Sequence, residues 1–80
     1  MAFRINEIFC FIAENPPDGD EGLVAIFHNG EWLPLVAANE ARLADLMPLA
    51  KRAACERRIE IKLIRLSSRE EVETILPETN

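Results

Sequence analysis

An 80-residue chain that is 49% hydrophobic and 29% charged has the make-up of one small globular domain and excludes the disordered and low-complexity classes. Its formal net charge of −5 argues against whole-molecule attraction to nucleic acid or to an anionic membrane surface. Two cysteines, Cys10 and Cys55, make no disulfide framework, and with a single histidine they cannot fill a tetrahedral metal site, so no cofactor is expected and both thiols are read as free and buried.

The first strand is expected over residues 3–13. Phe9, Phe11 and Ala13 fall on one face, and Ile8, Cys10 and Ile12 on the other. A strand apolar on both sides is central and covered on both. The run 8–13 is too short to cross a bilayer and lacks the charged lead and cleavage site of a signal peptide, so a cytoplasmic protein with no membrane partner is expected.

Residues 16–22 read as a loop, with two prolines, two glycines and three acids. Asp18-Gly19-Asp20-Glu21-Gly22 has the acids of a calcium loop without its spacing. Leu23 stands where the sixth-position glycine is needed, and Asn29 where the twelfth ligand should be glutamate.

A second strand over 23–28 and a third over 31–37 flank Asn29-Gly30. That dipeptide meets the demand of a type I′ turn for positive φ at both central residues. The turn fixes a register of His28 with Glu31, Phe27 with Trp32, and Ile26 with Leu33. Phe27 and Trp32 then form a cross-strand aromatic pair worth roughly 0.5–1 kcal/mol. Pro34 cannot donate to a ladder, so the third strand is expected to be an edge or to carry a bulge.

Asn39 is an expected helix N-cap, with Glu40 suited to the positive end of the helix dipole. Leu43, Leu46, Met47, Ala50 and Ala54 follow as an apolar stripe. Pro48 predicts a kink or a break. The fourth strand is expected over 59–66, where the apolar parity slips between Leu63 and Ile64. This marks a bulge or burial of the second face. Ser68-Arg69-Glu70-Glu71 reads as a capping box ahead of Val72, Ile75 and Leu76, so a short C-terminal helix is expected over 68–76.

The expected fold is therefore one α+β domain over residues 1–80. It has a four-stranded mixed sheet in the order 3-2-1-4, one kinked helix on one face, and a short C-terminal helix. Strands one and three run parallel, and the helix crosses over to bring strand four in parallel to strand three and beside strand one.

Three functional readings follow. The first is a non-enzymatic interaction module that forms a homodimer. One helix covers one sheet face, while the early strands are apolar on both. Ile8, Cys10, Ile12, Val24, Ile26, Val72, Ile75 and Leu76 are the candidate interface residues.

The second reading is an anion or nucleic-acid binder, or a surface for an acidic protein partner. Residues 48–69 carry seven basic against two acidic residues, a net of +5, whereas residues 1–47 carry −6 and 70–80 carry −4. Lys51, Arg52, Arg57, Arg58, Lys62 and Arg65 are its candidate binding residues. Every aromatic lies outside that segment, which weakens the nucleic-acid version. The third reading, ranked last, is a small ligand-binding or enzymatic site at the 28–32 hairpin, with His28 and Glu31 as an acid–base pair and Trp32 as a wall. No nucleophile is spaced to join them, so no catalytic residue is assigned.

Overall fold

The computed structural model describes residues 3–15 and 18–77. In chain order its elements are β1 (Ile8–Asn15), β2 (Asp20–Leu23), β3 (Ala25–His28), β4 (Glu31–Pro34), β5 (Val36–Ala37), α1 (Glu40–Arg57) and β6 (Lys62–Leu66). The fold is α+β, with a four-stranded sheet, a two-stranded hairpin sheet and one helix.

β1 organises the sheet. β6 pairs with it along one edge, Ile8 opposite Leu66 through Ile12 opposite Lys62. The other edge is shared. β2 takes its far end, from Ile12 with Leu23 to Asn15 with Asp20, and β5 takes Phe9 and Cys10. Between β2 and β5 the chain leaves the edge, forms the β3–β4 hairpin and returns. The branch point is a closed ring of three backbone hydrogen bonds. The Val24 N–H donates to the Phe11 carbonyl (2.9 Å), the Phe11 N–H to the Leu35 carbonyl (3.1 Å), and the Leu35 N–H to the Val24 carbonyl (2.9 Å). Each residue gives one donor and one acceptor. A break in pairing at a buried site therefore leaves no orphaned group there.

The hairpin has the expected register, His28 with Glu31 and Phe27 with Trp32. Asn29 and Gly30 have φ of 52° and 83°, as a type I′ turn requires. Pro34 is opposite Ala25, at a non-hydrogen-bonded position of the ladder, so its missing N–H removes no bond.

Asn39 caps α1 through its Oδ1, which accepts from the Arg42 N–H at 2.8 Å. Leu46, Ala50 and Ala53 are the buried helix residues, and small alanines let α1 sit close to the sheet. They pack on Phe9, Phe11, Val24, Ile26, Leu35 and Ala37 in one core. Arg58, at φ 54° and ψ 48°, closes the helix in the left-handed region with its N–H bonded to the Ala54 carbonyl.

Several expectations are corrected. Every strand pairing among the described residues is antiparallel, so the sheet is not mixed. β5 resumes the direction of β2 once the hairpin has returned, which makes it antiparallel to β1. For the same reason the order 3-2-1-4 is replaced: the third expected strand is split, and its second part pairs with β1 directly. The second expected strand is likewise split at Val24, and β2 begins inside the expected loop, whose Pro16 and Pro17 lie outside the described residues.

Pro48 does not break α1. It and Ala44 are both exposed, so water can satisfy the carbonyl that loses its donor. Residues 67–77 have no regular secondary structure in place of the expected C-terminal helix. Among the described residues nothing packs on the apolar side chains of this segment, and a helix that short is marginal in water. Cys10 is buried as expected, whereas Cys55 is exposed.

Candidate functional site

Side chains alternate across a strand, so the pairings of β1 define two faces. Phe9, Phe11 and Ala13 look toward α1. Ile8, Cys10 and Ile12 look away from it, joined by Leu66 and Ile64 from β6, Val36 from β5 and Leu23 from β2. No helix lies over this second face among the described residues. Cys10 and Ile12 are nevertheless buried, because they stand on the central strand with neighbours on both sides. The residues around them are open: Ile8 is 38% exposed, Leu66 56% and Leu23 58%.

The apolar face has a polar end. Lys62 lies next to Ile12 and reaches Glu14, its Nζ 3.1 Å from Oε1. That hydrogen bond, and then the Glu14 charge, hold the Lys62 ammonium above its ordinary 10.5. Glu21 pairs with Glu14 beside them. Charge therefore closes the face at the β2 end and leaves it apolar at the Ile8–Leu66 end.

A second feature is the outer side of the hairpin. Phe27 and Trp32 are 62% and 67% exposed, with ring centroids 5.5 Å apart and planes inclined at 58°. Arg52 and Arg57 line a hollow beside them, together with Glu56. Arg57 Nη2 donates to the Ala25 carbonyl at 2.7 Å, tying the end of α1 to the base of the hairpin. His28 and Glu31 are at the tip of the same hairpin, lining an open hollow with Arg42 and Asp45.

The chain matches no family model, no curated protein sequence and no solved structure.

The basic candidates do not form one group. Lys51 borders a hollow with Phe11 and Leu63, Arg52 and Arg57 flank the aromatic pair, and Arg58 is the helix cap. Lys62 is on the free sheet face, while Arg65 pairs with Phe9 on the helix side. Of the interface candidates, Ile8, Cys10 and Ile12 share the free face. Val24 and Ile26, expected beside them, instead belong to the core under α1. Val72, Ile75 and Leu76 stand apart on the C-terminal segment.

Leu23, Val36, Ile64 and Leu66 were missed as members of the free face. Their alternation with Gly22, Ala37, Leu63 and Arg65 carries the signal, but it can be read only once each strand is registered against β1. Among the described residues no three His, Cys, Asp or Glu side chains converge on a metal position, and no helix is long and apolar enough to cross a membrane.

Proposed function

We propose that this protein is a non-enzymatic interaction module that self-associates through the free face of its sheet. The observation that carries the reading is the seven-residue apolar face opposite α1, centred on Cys10 and Ile12 and left open at Ile8, Leu23 and Leu66. A contiguous apolar face bounded by charge at one end is suited to a homodimer interface, and a two-fold arrangement covers both copies with one surface.

The test is a double variant, Leu23→Lys with Leu66→Lys. Both side chains are already more than half exposed, so the isolated fold should tolerate lysine, whose stem can lie on the face while its ammonium reaches water. Light scattering should give a dimer for the unchanged chain and a monomer with an unaltered circular dichroism spectrum for the variant. A variant that stays dimeric with the same affinity sinks the reading.

A second reading has one observation in its favour. Sequence separates the aromatics from the basic segment, but the exposed Phe27–Trp32 pair adjoins Arg52 and Arg57. Stacking of single-stranded bases on Trp32, with phosphates near the arginines, is the chemistry that pairing supports. Trp32 is the only tryptophan, so its fluorescence reports directly. Salt-sensitive quenching by an oligonucleotide favours this reading, and no quenching at low salt removes it.

A further inference from the structure

We infer that the occupant of the free face is the C-terminal arm of a second copy, residues 67–77, so that two protomers exchange arms about a two-fold axis. This rests on the self-association reading above and names the segment that performs it.

The arm carries three large apolar side chains within five positions: Val72, Ile75 and Leu76, 89%, 87% and 75% exposed. None belongs to the core. It departs from Leu66, which is itself on the free face opposite Ile8, so its root lies at the apolar end and away from the Glu14–Lys62 end.

In the protomer the arm stands off the body instead of folding back onto the chain's own face. The protomer's radius of gyration is 15.6 Å, where a compact chain of this length has about 11–12 Å. Its accessible surface is 6980 Å², where a folded monomer of 9.0 kDa exposes about 4,900 Å². The excess of about 2,000 Å² per chain is the surface of the segments that stand off the body, residues 3–6 and the arm among them, and is of the size that one protomer of a large dimer interface buries. An open apolar face with a projecting apolar arm rooted at its rim supplies both halves of a two-fold contact. The arm of each copy meets the face of the other, and the assembly closes at two.

The experiment compares the full chain with an arm variant (Val72→Ser, Ile75→Ser and Leu76→Ser together) and with the face variant (Leu23→Lys with Leu66→Lys), by sedimentation velocity. The full chain should be a dimer. The arm variant should dissociate at least about 100-fold more readily, since it loses three apolar side chains on each side of the axis. Mixing the two variants should restore a weaker mixed dimer, because one intact arm then meets one intact face.

A dimeric arm variant of unchanged affinity overturns the exchange and leaves the self-association reading standing. A monomeric full chain overturns both. Loss of the dimer in each variant with no mixed dimer on combination also overturns the exchange, because an arm that acts only on its own chain gives that result.

Discussion

Leu35 is the residue at which the fold should be most sensitive. It is fully buried, packs in the same core as the fully buried Leu46 of α1, and belongs to the three-way backbone ring with Phe11 and Val24. Leu35→Ala keeps those backbone bonds and removes only side-chain atoms. Loss of a buried leucine side chain costs about 2–5 kcal/mol, the upper end where the site cannot collapse. Leu35 has strands on two sides and a helix above, so about 3 kcal/mol is expected. A domain of this size has about 4–12 kcal/mol in total. The loss should lower the melting temperature by roughly 12–24 °C.

The assay is urea unfolding followed by far-ultraviolet circular dichroism, in the Leu23→Lys, Leu66→Lys background so that dimerisation does not contribute. Trp32→Ala is the control, because it deletes a larger side chain from the exposed side of the hairpin. It should cost only about 0.5–1 kcal/mol, the value of its pairing with Phe27. If Leu35→Ala costs less than Trp32→Ala, the branch point is not the pivot of the core and the reasoning fails.

Three further predictions concern single residues. Arg58→Gly should raise stability by about 0.5–1 kcal/mol in the same assay, since a side chain sits where the left-handed φ favours glycine; a loss would show that the arginine side chain contributes more than its backbone strain costs. Gly30→Ala has open space around the new methyl group but a φ of +83°, so it should destabilise the hairpin by about 1 kcal/mol through conformation alone, and an unchanged urea midpoint would contradict that. The folded state binds the Lys62 proton more tightly than the unfolded state does. The stabilisation from the Glu14–Lys62 pair is therefore whole below pH 10.5 and fades as pH rises through the folded value. The urea midpoint should fall less steeply above pH 10.5 in Lys62→Met than in the parent, and equal slopes would show that the pair adds nothing.

Local signals were the legible part of this chain. Asn29-Gly30 gives its turn and the Phe27–Trp32 pair, and Asn39 gives the start of α1, because each acts over a few residues and needs no knowledge of the rest. The hairpin's departure from the edge of β1 left no such mark. The apolar runs through Val24 and Leu35 continue without interruption, so nothing in them tells which strand each residue bonds. That ambiguity placed Val24 and Ile26 on the wrong face. The parity slip near Leu63 comes from the second apolar face and not from a bulge: Ile61 and Leu63 line a hollow on the helix side, while Ile64 and Leu66 face away from it on a ladder that is regular from Lys62 to Leu66. The second apolar face was legible from Ile8, Cys10 and Ile12 alone, since alternation within one strand suffices. Its width was not, because it is assembled from four strands.

If the free sheet face holds two copies together, sedimentation velocity of the unmodified chain across the micromolar range will show it. The unmodified chain should be a dimer that dissociates on dilution, and Leu23→Lys with Leu66→Lys a monomer at every concentration. A single monomeric species for the unmodified chain throughout that range would contradict it.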